Sequence, residues 1–305
     1  MSPQELTQYI KAEAKSLGFD VCGIARADRV PQEVSDALTR WVNEGKNGEM
    51  HYFERNSDKR TDPRELVAGC KSIICVALNF YPGELENEPH IARYAFGKDY
   101  HKVIKDRLYL LLQSINKVEK VSGRPFCDSA PLLERFWAQQ AGIGWIGKNR
   151  QLIIPKAGSY YFLGELLVDA ELEYDAPFGS NFCGKCNACI SNCPTGALSS
   201  DGFDTRQCLS YLTIEYRGEL PDGTGAKMGH CFYGCDRCLS ACPHNRFAKA
   251  NETAEFSPKK EILTKKIEEW QALTNEEYRM IFSDSAVERC GYEQLMRNIR
   301  AIGNK

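Results

Sequence analysis

Cys183, Cys186, Cys189 and Cys193, followed by Pro194, spell C-x2-C-x2-C-x3-C-P, and no other feature constrains the chain as much. In such a run three thiolates wrap one corner of an iron–sulfur cubane, and the fourth, redirected by proline, ligates a neighbouring cluster. A second set is therefore required. It stands at Cys235, Cys238 and Cys242 followed by Pro243, one cysteine short, with Cys208 and Cys231 as candidates to complete it. Crossed ligation gives one cluster on Cys183, Cys186, Cys189 and Cys242, and another on Cys193, Cys235, Cys238 plus Cys208 or Cys231. Structural zinc also uses paired C-x2-C sites, but a third cysteine at the same spacing has no use there. The other members of the 14 cysteines, at 22, 70, 75, 127 and 290, stand singly, as small core hydrophobes do.

A cluster module is held by metal more than by apolar mass, so a true core belongs elsewhere in the chain. With 305 residues, 43% of them hydrophobic, there is length for two domains and too much apolar content for disorder. The net charge of −2 excludes a uniformly basic nucleic-acid binder and leaves room for a local patch. Residues 72–80 are too short to cross a bilayer, and the start Met-Ser-Pro-Gln-Glu is neither basic nor apolar. The expectation is a soluble, cytoplasmic protein without membrane contact, whose cysteines are not disulfides.

Ser2, Pro3 and Glu5 predict a capped first helix, stopped at Gly18. The pattern continues with a strand over 19–25 and a helix over 32–44 with Val34, Leu38, Trp41 and Val42 inward. A strand over 72–80, helices over 100–120 and 131–141, and strands over 151–154 and 161–169 follow. Residues 1–175 thus read as an α/β (α+β) domain, 176–250 as a ferredoxin-like two-cluster domain and 251–305 as a helical C-terminal segment. Gly142-Ile-Gly144-Trp-Ile-Gly147 matches the dinucleotide motif G-x-G-x-x-G, but it follows a helix and leads into a strand. That order is the reverse of what the motif needs, so it reads as a glycine-rich turn near a flat ligand and not as an NAD site.

Five segments together resemble the epoxyqueuosine reductases, iron–sulfur and cobalamin enzymes of tRNA queuosine synthesis. They are Arg93-Tyr-Ala-Phe-Gly-Lys-Asp-Tyr-His101, Asp128-Ser-Ala-Pro-Leu-Leu-Glu-Arg135, Gly142-Ile-Gly-Trp-Ile-Gly-Lys-Asn149, Cys208-Leu-Ser-Tyr-Leu-Thr-Ile-Glu215 and Tyr233-Gly-Cys-Asp-Arg-Cys238. The similarity runs from the first helix to Asn304. It implies a cobalamin-binding α/β domain joined to a two-cluster ferredoxin-like domain, in a short form without the helical-repeat domain by which longer members help hold tRNA. It also implies that Cys208 completes the second cluster and that Cys231 is a bystander.

The activity so implied is reduction of the epoxide of epoxyqueuosine at the tRNA wobble position, leaving queuosine. Two 4Fe–4S clusters would pass low-potential electrons from an external flavodoxin- or ferredoxin-like donor to cobalamin, in a monomer. By the same resemblance Asp128 protonates the departing oxygen. Ser210, Thr213 and Glu215 contact the corrin, as do the backbone around Leu152, Ile154 and Leu163 and, from Arg-Thr-Asp-Pro, Arg60. Asp99-Tyr-His101 begins the cobalamin motif D-x-H-x-x-G, but position 104 is Ile, so no histidine lower ligand is expected.

Plainer readings compete. Asp128 would cap a helix started by Pro131, and His101 would be a packing residue. A reductive dehalogenase-like cobalamin protein acting on a small molecule is one other function; a two-cluster electron carrier is another, though a carrier has no need of the long α/β domain. Lys148, Arg150, Arg297 and Arg300 are the candidates for tRNA phosphate contact.

Overall fold

The Ser2 hydroxyl accepts from the Glu5 amide while the Glu5 carboxylate accepts from the Ser2 amide, and this reciprocal cap, with Pro3 behind it, starts α1 (Pro3–Ser16). The structure, a computed structural model, describes residues 1–200 and 202–303. After α1 come β1 (Val21–Arg26), α2 (Gln32–Asn43), α3 (Ser57–Thr61), α4 (Pro63–Leu66) and β2 (Ser72–Asn79). Then follow α5 (Tyr100–Val118), β3 (Gly123–Phe126), α6 (Glu134–Gln140), a short hairpin of β4 (Trp145–Ile146) and β5 (Leu152–Ile153), and β6 (Tyr161–Val168).

The main sheet has the order β1-β2-β6-β3, and every neighbouring pair is antiparallel, so the fold takes the α+β sense of the expected class. All eight residues of β2 are buried, because helices cover both faces. Ile74, Val76 and Leu78 meet α1 and α5, through Ile10, Ile104 and Leu108; Ile73, Cys75 and Ala77 meet α6, through Trp137, Ala138 and Ala141. Two glycines set how closely the helices lie. A Cβ at Gly23 would stand 2.1 Å from the Ala141 carbonyl oxygen, and one at Gly164 would stand 2.4 Å from Ile104.

Two expectations are corrected here. The helix expected from Pro131 begins at Glu134 with Leu133 as its N-cap, so Asp128 caps nothing. On α2 no residue is fully buried: Val34 packs against the core beside α6, while Leu38 and Trp41 do not enter it. Periodicity reveals an apolar face but not what that face meets.

Between residues 182 and 256 the elements are short: α7 (Ala188–Ser191), β7 (Leu198–Ser199), β8 (Gly202–Phe203) and α8 (Leu209–Ile214), followed by helical turns of three to five residues. The segment docks on residues 90–96. Ile91 bridges Tyr233 in parallel, the Phe232 amide donates to the His90 carbonyl at 2.8 Å, and the Arg93 guanidinium pairs with Asp236 at 3.3 Å. The last helix, Tyr292–Gly303, places Leu295, Met296 and Ile299 in one core with Leu212, Phe232 and Trp270. Asp201 in the expected two-cluster domain, and Asn304 and Lys305 at the end of the expected C-terminal segment, lie outside the described residues. Among the described residues no helix is long and apolar enough to cross a membrane.

Candidate active site

The cysteines fall into two places. Cys183, Cys186, Cys189 and Cys242 line a small recess beside Lys148 and His244. Cys193, Cys208, Cys235 and Cys238 line a much larger cavity, of about 1150 Å³. Cys231 lines neither, and its thiol faces the Tyr233 and Gly234 carbonyls at 3.4 and 3.6 Å. Of the single cysteines, Cys70, Cys75, Cys127 and Cys290 are buried and Cys22 is half-buried.

The large cavity has walls from distant parts of the chain. Ala37, Leu38 and Trp41 of α2 form one side, which is where that helix directs its apolar stripe. The Trp41 indole N–H holds the helix to the cysteine segment through the Phe203 carbonyl at 2.9 Å. Tyr100 and His101 from the start of α5, Phe162 from β6, and Asp128 line it as well.

Asp128 follows β3 with φ +49, a left-handed conformation that costs a residue other than glycine on the order of 1 kcal/mol. Three contacts hold it. Its amide donates to the Glu134 carboxylate, its Oδ2 accepts from the Tyr100 hydroxyl at 2.6 Å, and His101 Nε2 lies 3.8 Å from that oxygen. Tyr100 stacks on Phe162 at 4.2 Å, and burial raises its pKa so that it stays a donor. His101 is oriented from behind by Asp99, whose Oδ1 lies 2.6 Å from Nδ1. Burial works against the Asp99 carboxylate, yet the hydrogen bond and charge of His101 hold its pKa below the usual range. The Asp128 side chain is 60% exposed, so only a ligand filling the cavity could bury it.

The remaining expected contacts divide. Ser210 and Glu215 line the cavity, Glu215 in an ion pair with Arg289 at 2.8 Å. Thr213 does not reach it: fully buried, its hydroxyl donates to the Leu209 carbonyl at 2.7 Å and accepts from the Gly234 amide at 2.9 Å. Leu152 and Ile154 are core residues and Leu163 packs against the same core, so none lines the cavity. Arg60 lies behind the wall, its guanidinium 4.7 Å over the Phe53 ring and donating to the Tyr52 carbonyl at 3.0 Å. The glycine-rich turn at 142–147 is a turn leading to β4, but it lies away from the cavity. Tyr100 and His101 were within a quoted motif without a role; their neighbour Asp128 supplies one only in three dimensions.

Residues 182–245 match the family described as a 4Fe-4S double cluster binding domain, which makes the chain an iron–sulfur protein. A double-cluster module that opens on a cavity with a mounted carboxylic acid is the anatomy of an oxidoreductase. Residues 60–129 match the family described as epoxyqueuosine reductase QueG, DUF1730. An epoxyqueuosine reductase of Leadbetterella byssophila is 44% identical over 302 residues, 98% of this chain and 99% of the relative. An epoxyqueuosine reductase crystallised with an epoxyqueuosine-modified tRNA-Tyr stem loop superposes with a TM-score of 0.89 at 30% identity, covering 98% of this chain and 80% of that one. The Bacillus subtilis epoxyqueuosine reductase, solved with its catalytic aspartate loop swung out of the active site, gives 0.86 at 30% identity over 98% and 81%. The chain belongs to the epoxyqueuosine reductase family and is an oxidoreductase.

Proposed function

We propose that this protein reduces epoxyqueuosine to queuosine at the wobble position of tRNA, with cobalamin in the large cavity and two 4Fe–4S clusters. The observation that carries the reading is a single cavity lined both by Asp128 and by Cys193, Cys208, Cys235 and Cys238. Those four would hold the inner cluster, and Cys183, Cys186, Cys189 and Cys242 the outer one. Cobalamin fits the residues present. The cavity exceeds the ~300–1,000 Å³ of ordinary small-molecule sites, and α2 lines it with Ala37, Leu38 and Trp41. Ser210 and Glu215 supply polar contacts on its wall.

Reduction of an epoxide to an alkene takes one electron pair and two protons and releases the oxygen as water. When bound, the cofactors supply the electron pair, drawn from an external flavodoxin- or ferredoxin-like donor. Asp128 supplies a proton to the departing oxygen, which is too basic to leave unassisted. Filling of the cavity by cofactor and substrate would shut solvent away from its carboxyl. His101, oriented by Asp99, is placed to return a proton to Asp128 between turnovers.

The relative solved with a tRNA stem loop supports tRNA as partner. Arg150 on the cavity wall is the cation for its phosphates; Arg135 and Arg289 line the same cavity but are engaged by the Arg150 carbonyl and by Glu215. Two of the cations expected from sequence serve elsewhere. Lys148 donates to the Gly184 and Cys186 carbonyls, and Arg297 to those of Leu212 and Tyr216. Arg300 is exposed. A monomer in the cytoplasm suits this role.

The test is Asp128→Asn, which keeps shape and hydrogen bonding and cannot donate the proton. Its turnover of epoxyqueuosine-tRNA should fall about a hundredfold or more with cobalamin and iron content unchanged. Full turnover in a protein so loaded removes Asp128 from the reaction.

A further inference from the structure

Glu165 sits in the middle of β6, opposite Cys75 on β2 and Phe126 on β3, and is 0% exposed. Neither of its carboxylate oxygens meets a donor. An ionised carboxylate without donors in a protein interior is among the costliest arrangements a fold can contain. The groups around it offer no cation. Cys75 on β2 and Cys127 after β3 are kept neutral by burial, and Lys105 on α5 acts only on Cys127. Asp128 on the loop adds negative charge. Arg135 turns its guanidinium to the Arg150 carbonyl. Among the described residues, the hydrogen-bonding side chain in reach is the Glu134 carboxyl at the start of α6.

Two carboxyls in contact inside a protein cannot both ionise, so one proton must lie between them. Glu134 has a second engagement, since its carboxylate accepts from the Asp128 amide. We propose that Glu134 and Glu165 share one proton and that this singly charged pair holds the Asp128 loop over the cavity. Protonated Glu165 donates to Glu134, and the Glu134 carboxylate thus oriented accepts the amide of a residue in a left-handed conformation. Burial first, and the neighbouring negative charges second, raise the pKa of Glu165, the direction that keeps the proton on it; burial raises Glu134 as well, against the Asp128 amide, the charge of Arg135 and the Glu165 hydrogen bond, all of which favour its carboxylate. Both are positioning residues: neither lines the cavity. The role assigned to the loop rests on Asp128 being the acid, whereas the shared proton does not.

Infrared spectroscopy of the holoenzyme tests the proton directly. The C=O stretch of a protonated, buried carboxyl, shifted by deuteration, should be present at neutral pH and absent in Glu165→Gln; a wild-type spectrum without it overturns the proposal. Kinetics test the positioning. Glu134→Ala should lose roughly tenfold in kcat with KM for epoxyqueuosine-tRNA and cofactor content held, and Glu134→Gln, whose amide oxygen still accepts from Asp128, should recover most of it. Full kcat in Glu134→Ala, or equal losses in both variants, overturns the latch. If Glu134→Ala does not fold, the infrared band and Glu134→Gln decide, with wild-type-like kcat in the latter expected to exceed half and a tenfold loss contradicting. Full turnover by Asp128→Asn beside an intact infrared band would sink the assignment of the acid and leave the shared proton standing.

Discussion

The two cysteine sets are close to copies of each other in sequence and unlike in their surroundings. Cys183, Cys186, Cys189 and Cys242 line a small recess in which Cys186 is exposed, and the Lys148 ammonium ties their loop together through the Gly184 and Cys186 carbonyls and Asn187 Oδ1. Cys193, Cys208, Cys235 and Cys238 open instead on the cavity that holds Asp128. Spacing decides what a cysteine set can bind; the parts of the chain folded over it decide what the bound group can reach. On the proposed reading the outer set receives electrons and the inner set delivers them.

The largest effect should come from breaking the inner set. Cys208→Ser should abolish turnover and lower iron from about eight per chain toward four, while Cys231→Ser should keep both; iron analysis and turnover of the two variants check this. Equal damage from both would erase the distinction between them. Next is the cavity wall. Trp41→Ala removes apolar surface worth about 1.5–3 kcal/mol when buried, so cobalamin should bind roughly tenfold or more weakly, as an absorbance titration would measure. At the outer set, Lys148→Ala removes three hydrogen bonds to the loop, and thermal stability of the loaded protein should fall by about 1–3 kcal/mol without loss of cobalamin affinity. Unchanged stability would mean that the outer loop needs no tie.

The smallest effect concerns pH. Glu165 has a raised pKa in the folded protein, so between the unfolded carboxyl value of about 4.3 and its folded value the native state binds the extra proton of the pair. Stability from this source is complete below the unfolded pKa and declines as pH rises, by up to about 1.4 kcal/mol per unit and per proton. Tm should therefore fall from neutral toward alkaline pH, and Glu165→Gln should flatten that slope. A slope identical in the variant would place its cause elsewhere.

How much of this was legible from sequence depended on the range of the signal. The cysteine runs and the Ser2–Glu5 cap are local, and the chain shows them within a few residues. The stripe of α2 was legible as apolar, but a cavity and a core look alike to a helix that faces either. Leu152, Ile154 and Leu163 lie in or beside strands, where one residue decides which face a side chain takes: Phe162 lines the cavity and Leu163 does not. Thr213 was lost to backbone: its hydroxyl donates to the Leu209 carbonyl in its own helix and accepts from the Gly234 amide of the later cysteine segment. Glu165 was hidden for the opposite reason. It sits among the apolar residues of β6, and only contact with Glu134, brought by α6 across Gly23, gives it a partner.

The account turns on the large cavity being the place where the cofactor meets Asp128 and the inner cysteines, and titration of the anaerobic protein with cobalamin tests that most directly. Wild type should bind one cobalamin per chain and quench the fluorescence of Trp41, while Ala37→Trp, which fills the cavity from an exposed position on α2, should keep its iron and bind none. No binding to wild type, or equal binding to Ala37→Trp, would contradict the account.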